Sequence, residues 1–424
     1  MSEFKKSLLE FLDKSKTSYH AVKNISEKLE SEGYSRLYEC DKWNLKKGGK
    51  YYVVRDGSSL IAFKNNGGGF MISAAHSDSP AFRIKDDVTL GSYVKLETEK
   101  YGGMINYTWF DRPLTIAGRI SVKSENGLEI KLCDIGGSNV VIPSLAIHMN
   151  RGVNENCKFN PAQDLLPLIS LSGKKGELKE RIAASAGVGA EDIVSDELFL
   201  VSNDSPITFG LNDEMILSSR LDDLSAVCAS VEAFVAAPDT DSSAVLAVFD
   251  NEEVGSETKQ GAGSTFLYDV LKRISESEED YLVRLSSSFM VSVDNAHALH
   301  PNHPEMSDKN NAPILGGGIT VKYNANQRYA TDALSDAIFR EICKKANVKV
   351  QSYCNRADLP GGSTLGSISD TKVSVPTVDI GIPQLAMHSL NECLALSDAE
   401  DMKRALEEFY SRTLFVRGEK IEIK

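Results

Sequence analysis

Residues 67–79 read GGGFMISAAHSDS, and the fold turns on how that stretch is parsed. Phe70–Ala75 is an apolar run too short for a helix, opened by glycines and closed by His76. That pattern predicts a central strand buried on both faces. His76 and Asp78 stand two positions apart, so on an extended segment they project to one side. A carboxylate there can hold the second imidazole nitrogen and fix the tautomer of a metal-bound histidine. Taken alone, the pair would also suit an ordinary surface His–Asp contact.

Working outward, two amphipathic helices precede this strand, FKKSLLEFLDKS (4–15) and HAVKNISEKLESEG (20–33), broken near Lys16–Ser18 and closed at Gly33. The strands KYYVVRD (50–56) and SLIAFKN (59–65) come between. After Pro80 the texture changes. From about Arg83 to Met215, strand-like segments such as YVKLETEK, LTIAGRISVK and LEIKLCDI alternate with turns, and the polar stretch 171–196 holds one helix, GELKERIAASAG. From Leu217 the α/β rhythm returns. Helix LDDLSAVCASVEAFVAA, strand AVLAVFD, a helix after Gly263, and strands FMVSVDNAH and GITVKYN follow in turn. Helix TDALSDAIFREICKKAN, strands VKVQSYC and TKVSVPTVDIG, and a last helix from Ser397 with a Ser–x–x–Glu capping pattern complete the chain. The expected fold class is α/β: a layered, mixed-sheet domain from residues 1–85 and 216–424, split by an inserted, mostly β module at 86–215.

The chain has 424 residues, 42% hydrophobic and 25% charged, which supplies a large core and favours two domains over one. A formal net charge of −13 argues against nucleic acid as a partner, because that binding needs clustered Lys and Arg. The opening MSEFKKSLLEFLDKSK carries charges every few residues and reads as neither signal peptide nor membrane span. No stretch approaches the ~18 apolar residues that a spanning helix requires, so no membrane partner is expected. Seven scattered cysteines without a CxxC pair suggest reduced thiols and a cytoplasmic location. A metal site must then come from His, Asp and Glu.

Apolar strands end repeatedly in such residues: MISAA in His76, AVLAVFD in Asn251-Glu252-Glu253, FMVSV in Asp294 and PQLAM in His388. In open α/β sheets, ligands collect at the carboxyl ends of strands. Each residue alone suits a turn or cap; four strands delivering them together points to a site. Adjacent Glu252 and Glu253 repel, and a nearby cation would offset them. One can ligate metal while the other takes the proton of an attacking water. Asp222 and Asp223 open a helix, where they suit either capping or a carboxylate shared by two ions. His20 reads as a cap or surface residue, and His297, His300 and His303 as turn residues. His148 stands apart in the inserted module. GGGF (67–70) and LPGGSTLG (359–366) lack the order of a dinucleotide or phosphate-loop fingerprint. The second, with Gly362 and Ser363, would offer backbone N–H groups to a substrate.

In order along the chain stand SAAHSDSP, INYTWFDRPL, IPSLAIHMNR, SSRLDDL, FDNEEVGS, VDNAHALHPN, NQRYATD, DLPGGSTLG and PQLAMHSLNE. Together they resemble the aspartyl aminopeptidase, or aminopeptidase I, family across nearly the whole chain. The resemblance implies a zinc-peptidase domain with an inserted β domain for dimer contacts, and assembly to a dodecamer. It implies two divalent ions, zinc first, with manganese or cobalt also suited to such ligands. One ion would be held by His76 and Asp294, the other by Glu253 and His388, with Asp222 bridging. Glu252 would be the general base, Asp78 the carboxylate orienting His76, and His148 a residue reaching a neighbouring subunit's site. Lys322 matches the pocket lysine of acid-preferring members, so peptides with a free N-terminus, and N-terminal Asp or Glu among them, are the expected substrates. Asp223 stands where some relatives carry Asn. Two other readings compete: a different two-metal amide hydrolase, such as a deacetylase or carboxypeptidase, and a non-catalytic assembly protein.

Overall fold

The computed structural model describes residues 2–90, 93–171 and 176–424. The expected central strand is Phe70–His76, with all seven residues buried. It is fifth in a nine-stranded mixed sheet, lying parallel between Ser243–Phe249 and Phe289–Val293. The period-2 geometry of a strand sends Phe70, Ile72 and Ala74 to one face and Met71 and Ala75 to the other, each into its own hydrophobic cluster. Helices cover both faces. Glu3–Lys14, Ser18–Ser31, Leu221–Ala236, Ala333–Lys345 and Leu396–Tyr410 pack on one side through residues such as Leu8, Ile25, Phe234, Phe339 and Phe409. Phe266–Ile274, Glu278–Leu285 and Leu365–Asp370 cover the other. Layering of this kind brings the strand ends onto one edge.

A separate six-stranded antiparallel sheet is drawn from residues 81–202. Its core, with Phe82, Leu96, Trp109, Ile116 and Leu200, is distinct from the other two. The helix predicted within 171–196 is Glu177–Ala186; residues 172–175 of that stretch lie outside the described residues. A five-stranded sheet joins Ile207–Phe209 and Met215–Ser218 to Glu392–Ala395, Pro383–Leu385 and Ala296–His297.

One expectation needs correction, and one element was missed. The last helix starts at Leu396 without a side-chain cap. Strand Glu392–Ala395 runs straight into it, so Ser397 already lies inside the first turn. Asp398 meanwhile accepts the N–H groups of Gly316 and Gly318. The helix Glu278–Leu285 was not anticipated, although Ser277 caps it by accepting the Asp280 N–H. The acidic run around it conceals its apolar face.

Candidate active site

The site forms where parallel strands end side by side. His76 is the last residue of its strand, in register with Phe249, and Asp294 follows the neighbouring strand Phe289–Val293. Asp222 and Asp223 enter from the Leu221–Ala236 helix, but both have non-helical backbone angles, and neither caps it. The capping alternative is therefore not what these residues do. The peptide bond between them is cis, and the Asp223 carboxylate accepts the His76 backbone N–H at 3.3 Å. His388 comes from a loop beyond the short strand Pro383–Leu385, not from a strand end, and sits at φ 64°.

Asp222 lies between the two histidines. Its Oδ1 is 3.5 Å from His76 Nε2 and its Oδ2 is 3.5 Å from His388 Nε2. Asp294 Oδ1 is 3.9 Å from His76 Nε2, and Glu253 Oε1 is 3.3 Å from His388 Nε2. Among the described residues, three groups gather ligand atoms closely enough for a metal ion: His76 with Asp222, Asp223 and Asp294; His76 with Glu252 and Glu253; and Asp222 with Glu253 and His388. The tautomers suit ligation. His76 Nδ1 faces the Asp78 carbonyl at 3.1 Å, and His388 Nδ1 faces the Gly103 carbonyl at 2.9 Å. A carbonyl only accepts, so each Nδ1 carries the proton and each Nε2 is turned inward.

The carboxylate of Asp78 reaches further than its predicted contact with His76. Its Oδ1 is 3.4 Å from His76 Nδ1. The same carboxylate accepts the backbone N–H groups of Glu252 and Glu253, each at 3.1 Å. It therefore fixes the turn that presents both glutamates. Glu392 went unrecognised in the sequence, although it lies four positions after His388. It is fully buried and accepts the N–H of Asp222 at 2.9 Å and that of His388 at 2.6 Å. No motif signals such a role, because its partners are backbone amides.

The electrostatics of the cluster favour added positive charge. Burial pushes Asp223, Glu252 and Glu253 upward, with Asp294 adding to the rise at Asp223 and Glu252 and Asp222 adding at Glu253. Burial works against a charged His388, yet Asp222 and Glu253 hold its pKa up at about 12. Burial likewise opposes a charged His76, and Asp222, Asp294 and Asp78 override it. Asp222 Oδ1 is buried without a hydrogen-bond partner. Asp223 Oδ1 is unpartnered too, and a crowd of buried carboxylates with two such oxygens fits the donor set of a divalent-cation site.

These residues open onto a pocket also lined by Lys322, Gly362, Ser363, His297, Tyr329 and Tyr353. Lys322 is buried and bonded to the Asp294 carbonyl at 2.7 Å, with its ammonium 3.4 Å from the Asp294 carboxylate. Of the three histidines assigned to turns, His300 accepts the Asn302 N–H and His303 pairs with Glu305, whereas His297 lines this pocket. His20 is half-buried, 2.8 Å from the Thr17 hydroxyl. His148 is exposed in a turn of the inserted module and joins none of the three ligand groups.

A split α/β layer on which buried His76, partly exposed His388 and several carboxylates converge fits a metal-dependent hydrolase. The comparisons identify which kind. Residues 11–410 match the family model described as aminopeptidase I zinc metalloprotease (M18). A relative from Clostridium acetobutylicum, described as a probable M18 family aminopeptidase 2, is 45% identical over 96% of this chain and 99% of its own. The solved complex of Ape4 and Nbr1 superposes with a TM-score of 0.93 at 33% identity, covering 96% of this chain and 85% of that one. The S. cerevisiae mApe1 dodecamer gives 0.84 at 25% identity, with 96% of each chain covered. The chain belongs to the M18 family of metallo-aminopeptidases. The assembly-protein, deacetylase and carboxypeptidase readings fall away.

Proposed function

We propose that the chain is a two-ion aminopeptidase whose ions are held by His76 with Asp294 and by Glu253 with His388, Asp222 lying between. The observation that carries this is Asp222, which presents one oxygen to each histidine at the same 3.5 Å. Zinc fits the family, and manganese and cobalt fit the donors. When bound, the ions supply Lewis acidity toward the scissile carbonyl and positive charge that offsets the carboxylates.

The remaining steps belong to side chains. Asp78 holds the Glu252–Glu253 turn and backs His76. Glu252, adjacent to the ligand Glu253 and facing the pocket, takes a proton from the attacking water and returns it to the leaving amine. The N–H groups of Gly362 and Ser363 line the path of the substrate backbone. Lys322 is the one lysine or arginine lining the pocket among the described residues, and a charge-assisted contact from it would favour N-terminal Asp or Glu.

Residues 86–215 form the proposed self-association module, with dimers building toward a dodecamer, and His148 would serve a neighbouring subunit's site. Exposed Leu145, Ile147 and Met149 beside it support an interface there. Among the described residues no helix is long and apolar enough to cross a membrane; the proposed location is cytoplasmic, as the scattered cysteines suggest. Glu252→Gln tests the mechanism: metal content should stay at the wild-type level while turnover on peptides with free N-termini falls by roughly a thousandfold or more. Near-normal turnover would remove Glu252 from the role.

A further inference from the structure

The metal centre is braced by the module inserted into the catalytic layer, through eight residues that leave the strand Tyr93–Tyr101. Tyr101 donates its hydroxyl to Asp78 Oδ2 at 2.6 Å and accepts the Asn251 amide at 2.8 Å. The Asn251 side-chain oxygen Oδ1 in turn accepts from Thr258 and Gln260, each at 2.9 Å. With the N–H groups of Glu252 and Glu253, the Tyr101 hydroxyl gives the Asp78 carboxylate three hydrogen bonds, and His76 Nδ1 stands 3.4 Å from its Oδ1. Gly102 has φ +75°, and a Cβ there would stand 3.2 Å from the Glu253 Cβ. The Gly103 carbonyl accepts the His388 imidazole N–H, and Ile105 donates its N–H to the His388 carbonyl at 2.9 Å. Thr108 accepts the Leu390 N–H at 3.0 Å.

We infer that residues 101–108 are a positioning strap that sets the cation affinity of the centre, with Tyr101 as its principal positioning residue. One continuous segment reaches the groups behind both histidines and packs against Glu253. Ordinary domain packing would give apolar contact; here the contacts end on the imidazole of one proposed ligand, His388, and on the carboxylate beside the other, Asp78 next to His76. Contacts of this rank typically change metal affinity by ~10–100-fold when lost. The inference rests on the proposed ion-binding reading of His76, Asp222, Glu253, Asp294 and His388.

Full-length Tyr101→Phe, metal-stripped and then titrated with cobalt(II), supplies the test. Its visible absorption bands and its zinc dissociation constant by chelator competition are compared with wild type and with Tyr107→Phe, whose tyrosine is exposed on the same segment. Tyr101→Phe should bind zinc about tenfold or more weakly and show shifted cobalt bands, with Tyr107→Phe unchanged. Wild-type affinity and bands in Tyr101→Phe would overturn the strap. If Tyr101→Phe fails to fold, Gly102→Ala takes its place under the same criteria. If wild-type protein and Asp222→Asn bind cobalt equally, the ion-binding reading itself fails, a result distinct from failure of the strap.

Discussion

Glu392 accepts the backbone N–H of Asp222 at 2.9 Å, across 170 positions of sequence. The same carboxylate takes the His388 N–H at 2.6 Å, so one buried acid aligns two proposed ligands from separate elements. Removing it would leave two amides unpaired and both ligands free to drift. Glu392→Ala should weaken zinc binding by about 10–100-fold, read by chelator competition, with turnover at saturating zinc recovering only in part. Unchanged affinity would show that the backbone alone fixes these residues.

Lys322 bears on selectivity. Burial opposes its charge, but Asp294 holds the ammonium protonated well above the ordinary lysine range. Lys322→Met should reduce kcat/KM on Asp- and Glu-terminated peptides by roughly tenfold or more relative to Leu-terminated ones. Because Lys322 also touches Asp294, some loss common to all substrates is expected. An equal fall on every substrate would assign the lysine to Asp294 alone.

Gly381 packs its Cα against the segment that carries Asp294. A Cβ at that position would lie 2.2 Å from the Asp294 carbonyl oxygen, the atom that Lys322 also contacts. Neither backbone can yield cheaply. Gly381→Ala should destabilise the protein by about 1–3 kcal/mol in denaturant titration, with reduced zinc content. A neutral result would mean that the strand ends are more compliant than their packing implies.

Acid stability should bear the mark of His20. Burial lowers its pKa from 6.5 to about 4. The unfolded chain therefore binds a proton that the folded chain refuses between those values, and stability falls as pH drops from about 6.5 to about 4. The loss amounts to roughly 3 kcal/mol at most. Urea titrations across that window should show a shallower fall in His20→Gln, and identical slopes would contradict the assignment.

Much of the catalytic layer was legible because its signal is local. An apolar run such as Phe70–Ala75 can only be a buried strand, and a histidine or carboxylate closing it, as at His76 and Asp294, stands out against that run. What escaped detection depends on distant partners. Tyr101 bonds to Asp78 and Glu392 to Asp222, 23 and 170 positions away. The second contact of Glu392, with His388 four positions before it, is to a backbone amide that no side-chain pattern marks. Asp222 looked equally suited to capping, since helix starts and metal sites favour the same carboxylate; only its non-helical backbone separates the two. His388 was read as a strand end, but Ala386 and His388 adopt left-handed backbone angles that composition does not reveal. His297 resembled its loop neighbours and differs from them only by facing the pocket.

The central claim concerns ion number, and zinc counted per chain by elemental mass spectrometry tests it most directly, on wild-type protein and on Asp222→Asn. Two zinc ions per wild-type chain, with marked loss from the variant, is the predicted outcome. One ion or none in the wild type, or two retained without the Asp222 carboxylate, would contradict the account.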